Sequence, residues 1–267
     1  MKRSHVILTT IAAVAAALLP ALVGTSPASA ATACVVTAKN GPNSNCGPYD
    51  TPNITLSNGY NTYVANNGWA CGSNGSDCGP QKLTAYSPSK WSIVSNQKAR
   101  NTAVLTYPDV MQLFTQPNGN SRPLSSFSGI YSYFAESMPH NSRTIAQAAY
   151  DLWLDHTTGS NEVMIWVDNV NRGTGGARVL THATFFNVRW TLLQYGGPGG
   201  ELIWSRNGNV HSSLIHILPM LRWLVAHHYE SSTTSIGQVD FGWEICSTGS
   251  VPETFKVTAY TLRTRHA

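Results

Sequence analysis

Asn161-Glu162-Val163-Met164-Ile165-Trp166-Val167 is the stretch from which the rest of the chain can be read. Apolar, β-branched and aromatic residues dominate it, which is the composition of a strand. Successive side chains of a strand point to opposite faces. Val163, Ile165 and Val167 therefore share an apolar face suited to packing against a second sheet. Glu162, Met164 and Trp166 share the other, where a carboxylate stands beside a thioether and an indole.

Two further segments repeat the pattern. Tyr150-Asp151-Leu152-Trp153-Leu154-Asp155 puts Asp151, Trp153 and Asp155 on one parity. In Gln238 to Cys246, Phe241, Trp243 and Ile245 alternate with Asp240, Gly242 and Glu244. Three strands that each carry an acid on the non-core face can build a multi-carboxylate site if they lie side by side. Aromatic platforms for sugar rings and acids for a glycosidic bond are the usual lining of a carbohydrate cleft.

Composition narrows the setting. Lys2, Arg3 and His5 precede an Ala/Leu-rich run from Val6 to Val23, broken by Pro20, and Ala28-Ser29-Ala30 supplies an A-x-A cleavage site. Residues 1–30 thus read as a signal peptide, and a secreted, extracellular protein is expected. No later run approaches the ~18 apolar residues that a spanning helix needs, so no membrane partner is expected after cleavage. Lys and Arg number 17 in the whole chain and two lie in the signal, leaving 15 basic against 13 acidic groups, a net charge of +2. So small and scattered a charge argues against nucleic acid or an anionic surface. Only 11% of residues are charged, and a surface rich in Ser, Thr, Asn and Gly suits a neutral polymer such as a polysaccharide.

Cys34, Cys46, Cys71, Cys78 and Cys246 all lie in the exported part, so disulfides are expected. Four cluster within residues 34–78, which favours stapling of the N-terminal region and leaves Cys246 unpaired. The pairing within the four is open at this level. No Cys-x-x-Cys pair and no His/Cys cluster with zinc spacing occurs, so no structural metal is expected from local motifs.

Taken in order, Ala31 to about Pro52 reads as a loop-like lead-in, with residues 46–267 forming one β domain. Gly59 to Ala70 suggests a short strand or hairpin, and Thr84 to Leu105 carries weak strands. Tyr107-Pro108-Asp109-Val110 starts a turn, and Gln116 to Pro123 is a loop. Ile130 to Phe134 and Ala146 to Asp155 are strands. Asn171 to Ala177 is glycine-rich without the Lys-Ser/Thr of a phosphate loop and reads as a surface loop. Thr184 to Tyr195 and Glu201 to Ser205 pair around a Gly-Gly-Pro-Gly-Gly turn. Leu214 to Tyr229 has helical spacing with Pro219 in its first turn; His216, His227 and His228 are read there as capping or packing groups. Ile236 to Cys246 and Glu253 to Arg265 close the chain as strands. The class is all-β: an antiparallel β-sandwich or jelly roll with one short amphipathic helix.

Several of these pieces together resemble glycoside hydrolase family 12, exported endo-β-glucanases with a β-jelly-roll fold. The resemblance rests on Asn66-Asn67-Gly68-Trp69 followed by Cys78, Tyr107-Pro108-Asp109-Val110, Tyr150-Asp151-Leu152-Trp153-Leu154, Glu162-Val163-Met164-Ile165-Trp166 and Gly242-Trp243-Glu244-Ile245. It spans about residues 46–264. It implies Glu162 as nucleophile, Glu244 as general acid/base and Asp151 as hydrogen-bond partner of the nucleophile. It also implies that Asn67 and Trp69 bind glucosyl units, that Met164 and Trp166 shape the cleft floor, and that Cys46 pairs with Cys78, leaving Cys34 and Cys71 as a second bridge.

The implied activity is a secreted, monomeric, retaining endo-β-1,4-glucanase that needs no cofactor. The alternatives are a xyloglucan-specific or mixed-linkage glucanase on the same site, and a non-catalytic β-sandwich glucan-binding protein. A structural wall-associated protein would lack the cleft. Asn171 to Ala177 departs from the Pro-x-Gly loop usual after the nucleophile strand, and Trp243 and Cys246 flanking Glu244 are also unusual. Without a recognisable cellulose-binding module, soluble or amorphous glucan is the expected substrate.

Overall fold

Alternation of apolar and polar side chains, repeated along strand after strand, produces two sheets packed face to face. The computed structural model describes residues 33–38, 45–50, 60–68, 70–71, 78–114, 121–155 and 161–267. The expected signal peptide and Trp69 lie outside them. In chain order the strands begin with β1 (Cys34–Ala38), β2 (Asn45–Asp50), β3 (Tyr60–Ala65), β4 (Gln81–Ser87), β5 (Lys90–Ser95), β6 (Asp109–Leu113), β7 (Arg122–Pro123) and β8 (Phe127–Ser137). They continue with β9 (Thr144–Leu154), β10 (Asn161–Val170), β11 (Arg178–Phe185), β12 (Val188–Gln194), β13 (Leu202–Arg206), β14 (Ser212–His216), β15 (Ser235–Thr248) and β16 (Glu253–His266). The one α-helix among the described residues, α1 (Ile217–Ala226), lies between β14 and β15.

The smaller sheet has the order β1-β4-β5-β16-β8-β14 and the larger β11-β12-β13-β10-β9-β15-β6-β3-β2, with β7 beside β15. Pairing is antiparallel throughout except between β10 and β13, which run parallel. One apolar core lies between the sheets. Leu83, Trp91, Ile93, Phe134 and Phe255 enter it from the smaller sheet, and Tyr150, Leu152, Val163, Ile165, Phe241 and Trp243 from the larger. Trp91 and Trp243 meet edge to face at 4.9 Å. Both are at most 1% exposed, and truncating either to Ala costs about 3–5 kcal/mol. The parities read from β9, β10 and β15 are those observed, except that Asp155 lies past the end of β9 with a left-handed φ of 66°.

Several expectations need correcting. The lead-in contains β1, which pairs along its length with β4, and β2, which pairs with β3. Asp109 and Val110 do not turn; they begin β6, held between β3 and β15. The run 184–195 is two strands, because Phe186 and Asn187 take left-handed backbone angles of 51° and 64° and close a two-residue hairpin. No Asn-Gly signal marks it; the exposed Phe186 ring instead stacks on His216 at 3.8 Å. The disulfides are Cys34–Cys46 and Cys71–Cys78, replacing the Cys46–Cys78 and Cys34–Cys71 pairs that the resemblance implied. Each joins cysteines near in sequence, the first tying the start of β1 to β2 across the two sheets. Cys246 is free, as expected, and it is buried.

Helix α1 begins beside Pro219 and buries Ile217, Leu218, Met220, Leu221 and Leu224. It ends where His228 adopts a left-handed φ of 61°, a conformation common just beyond a helix C-terminus. His227 stacks on Trp223 at 3.6 Å.

Candidate active site

β10, β9 and β15 lie side by side, and their register decides which acids meet. Glu162 stands opposite Trp153, and Met164 opposite Asp151. On the other flank Gln238 opposes Trp153, Asp240 opposes Asp151, and Glu244 opposes Gln147. All these side chains occupy the face of the larger sheet turned away from the core. A cavity of about 340 Å³ on that face is lined by Asn67, Tyr107, Asp151, Trp153, Glu162 and Glu244, together with Met111, Glu201, Gln238 and Asp240. It continues on one side past Glu162 and Glu201 to Arg178 and His228. On the other it passes Glu201 and Glu244 to Trp166, Arg172 and Tyr195. The three spaces share lining residues and form one trough.

Two of the sequence-derived residues lie deeper than expected. Met164 and Trp166 are 1% and 2% exposed, packed with Tyr107, Ala149, Ala177, Leu193 and Ile203 in a second, smaller apolar cluster. They support the trough floor from below, and Trp166 reaches the lining only at the Arg172 end. Trp153 and Tyr107 are the aromatic side chains that line the central space. Asn67 does reach it, and its side-chain amide donates to Asp109 Oδ2 at 3.3 Å.

Glu201 and Arg172 were not anticipated. Glu201 precedes Leu202, which pairs in parallel register with Val163, so Glu201 and Glu162 become neighbours on adjacent strands. Only the parallel β10–β13 pairing creates this contact, and no local pattern signals it. Arg172 belongs to the glycine-rich segment taken for surface loop. Its guanidinium donates to Thr102 O at 3.0 Å and Cys246 Sγ at 2.7 Å, and it lies 5.9 Å from the Trp166 ring centre. The segment is mostly exposed, but this one side chain turns into the trough. Gly242, between Asp240 and Glu244, has no room for a side chain: a Cβ there would stand 2.0 Å from Pro108 O.

Burial dominates the electrostatics. It pushes the Glu162 carboxyl up to about 8, with the negative charges of Glu201 and Glu244 adding to the rise. Glu244 is likewise pushed up to about 8 by burial, against the opposing pull of Arg172; the Gln147 side-chain amide donates to it. Burial raises Asp109 to about 8, partly offset by the Asn67 hydrogen bond. Asp151 is raised by burial and then by Glu162 and Glu244. Asp240 is raised by burial and then by Asp109, while hydrogen bonds from Gln238 (2.6 Å) and Trp153 oppose the shift. No hydrogen bond joins Asp151 to Glu162, and Asp151 Oδ1 has no partner. So many acids around one cavity cannot all ionise, so the set holds protons at neutral pH. Such a site can donate a proton and present a carboxylate nucleophile at once.

No protein-family model and no curated protein matches the sequence. Solved structures do match its fold. The xyloglucanase domain of NopAA, a type three effector from Sinorhizobium fredii solved with cellobiose, superposes with a TM-score of 0.66 at 19% identity, covering 87% of this chain and 99% of that one. A family 12 xyloglucanase from Bacillus licheniformis, solved with a ligand, gives 0.65 at 19% identity over 87% of this chain and 100% of that one. An endoglucanase from Rhodothermus marinus gives 0.66 at 15% identity over 86% and 99%. The chain therefore has the β-jelly-roll fold of the family 12 glycoside hydrolases.

Proposed function

We propose that this protein is a secreted glycoside hydrolase that cleaves internal β-1,4 bonds of soluble or amorphous β-glucan with retention of configuration. The observation that carries the reading is the convergence of Glu162, Asp151, Asp240 and Glu244 from three adjacent strands on one trough, in a fold shared with xyloglucanases and endoglucanases. Glu162, in its ionised form, attacks the anomeric carbon. A protonated acid across the trough delivers its proton to the leaving glycosidic oxygen, giving a glycosyl-enzyme ester and a free chain end. The same acid, now a base, takes a proton from water as that water attacks the ester. Hydrolysis is then complete, and both carboxyls return to their starting states. Asp151, protonated beside Glu162, limits the negative charge on the pair. Asn67 binds a glucosyl unit, a role Trp69 shares by resemblance. The expected 1–30 signal peptide accounts for export.

Glu244 is the acid/base in this reading, and Asp240, which lines the same cavity, is a second candidate. Glu162 and Glu244 stand opposite Trp153 and Gln147 of β9, yet both line the central cavity and the Glu244 charge raises the Glu162 carboxyl. Asp240 lies opposite Asp151, far nearer the row of Glu162, while a retaining pair works at about 5–5.5 Å. Glu244→Gln and Asp240→Asn separate the two. The true acid/base variant loses about 10²–10⁴ in kcat on polymer, keeps much of its rate on an aryl glycoside with a good leaving group, and is rescued by azide to a β-glycosyl azide. An α-azide rejects that residue as acid/base.

Substrate class is tested by reducing-sugar release from carboxymethylcellulose, barley glucan, xyloglucan and xylan. β-Glucan cleavage with the β-anomer first seen by NMR is expected. No release from any of the four rejects the hydrolase reading in favour of a glucan-binding protein.

A further inference from the structure

A second group of ionisable side chains lies away from the trough, on the core side of the larger sheet. β10 and β9 lose register between Trp166 and Asp168. This bulge brings Asp168 opposite Ala148, a core position, instead of leaving it on the parity of Glu162. Asp168 is 1% exposed and Glu136, on β8 of the facing sheet, 5%. His140 and His211 close the gap from solvent. His140 Nε2 lies 2.7 Å from Asp168 Oδ2, and His211 Nδ1 lies 3.1 Å from Asp168 Oδ2 and 3.3 Å from Glu136 Oε1. The ligand atoms of His140, Asp168 and His211 all fall within 4.8 Å of one another.

We propose that Glu136, His140, Asp168 and His211 form a binding site for one zinc-type divalent cation, seated between the two sheets at the end remote from Glu162. Two imidazoles and two carboxylates are a donor set of the kind zinc accepts. Ligands bonded to tetrahedral zinc at about 2.0–2.1 Å stand about 3.3 Å from one another, against 2.7, 3.1 and 3.3 Å for the three imidazole–carboxylate pairs here. Two buried carboxylates supply the charge that a dication neutralises. Asp168 Oδ1 is buried without a hydrogen-bond partner, an uncompensated acceptor that a metal would satisfy.

The frame around the site is fixed in advance. Glu136 N donates to His211 O at 2.8 Å, and Val210 N to Val167 O at 3.1 Å, which pins the His211 loop to both sheets. Asn171 Nδ2 donates to Asn141 O at 2.8 Å, while Asn141 Oδ1 accepts from Thr144 N at 3.0 Å, anchoring the His140 loop. Trp243 Nε1 holds Glu136 Oε2 at 3.1 Å, an outer hydrogen bond of the sort that orients metal ligands. The two imidazole side chains are 39% and 58% exposed, leaving a path for an ion. The competing arrangement is an ion-free cluster in which the imidazoles simply donate to the carboxylates.

The test uses untagged protein stripped with EDTA and titrated with zinc sulfate by calorimetry, with bound zinc counted by elemental analysis. One zinc per chain is expected, with a higher Tm and, on cobalt substitution, the intense visible absorption of a four-coordinate ion. His140→Gln and His211→Gln should each weaken zinc binding at least ~10-fold, with Tm in EDTA close to that of the parent. Glu162→Gln should bind zinc as the parent does, which separates this site from the acids of the trough. The proposal is overturned by no bound zinc, by zinc binding unchanged in both histidine variants, or by preference for calcium over zinc.

Discussion

Two clusters of buried acids sit on opposite faces of the larger sheet, and they differ in what accompanies them. In the trough, Arg172 opposes the rise at Glu201 and Glu244, while Glu162, Asp151 and Asp240 have only acids as charged neighbours. At the far end, Glu136 and Asp168 are faced by two imidazoles and an indole N–H. Burial raises Glu136 only to about 7, opposed by Trp243 and His211, whereas Glu162 reaches about 8 with acids as its charged neighbours. Desolvation of a carboxylate is therefore answered in two ways, by keeping protons in one cluster and by supplying donors in the other. The first suits proton transfer, and the second suits holding an ion.

Substitution at the trough tests the contrast most severely. Glu162→Gln should lower kcat on β-glucan on the order of 10⁴-fold while leaving oligosaccharide binding within a few-fold, read by steady-state kinetics and calorimetry. Near-normal turnover would remove Glu162 from the chemistry and erase the functional difference between the two clusters.

A smaller effect should appear in stability. Glu162 and Glu244 hold protons more tightly folded, at about 8, than unfolded, near the ordinary glutamate value of 4.5. Their contribution is therefore fully present below about 4.5 and is lost as pH rises to about 8. Tm should fall across that window. Glu162→Gln should flatten the fall, because its amide carries no charge to desolvate. Glu136 adds a slope of the same sign that is complete by about 7. A Tm that rises over this range would show that the trough acids are ionised and stabilised by some other group.

Smallest is the effect of the cation beside Glu244. Arg172 opposes the rise at Glu244 and Glu201, so Arg172→Gln should move the alkaline limb of the kcat profile upward by about one pH unit. An unmoved limb would mean that neither acid governs that titration.

Much of this was legible in the chain. Parity placed Phe241, Trp243 and Ile245 in the core and Asp240 and Glu244 outside it, because a pleated strand alternates faces whatever its partners. The same rule failed at Asp168, where a bulge reverses the face and local sequence carries no sign of it. Glu201 escaped notice because its nearness to Glu162 depends on a parallel pairing across a long connection. Arg172 escaped because a glycine-rich loop is read by composition, not by where its single long side chain reaches. The cysteine pairs that resemblance implied gave way to the two short-range links because β1 and β2 enter separate sheets beside each other.

The amino-acid sequence alone determined the all-β class, the core parity of the central strands, the amphipathic helix α1 and the presence of acids on the trough face. These follow from the period of the strand and the chemistry of side chains one or two residues apart. Tertiary structure alone decided which acids stand together, how deep Met164 and Trp166 lie, and that His140, Asp168 and His211 converge. Such juxtapositions join residues tens of positions apart, through register, bulges and sheet order that are settled only when two sheets close over a common core.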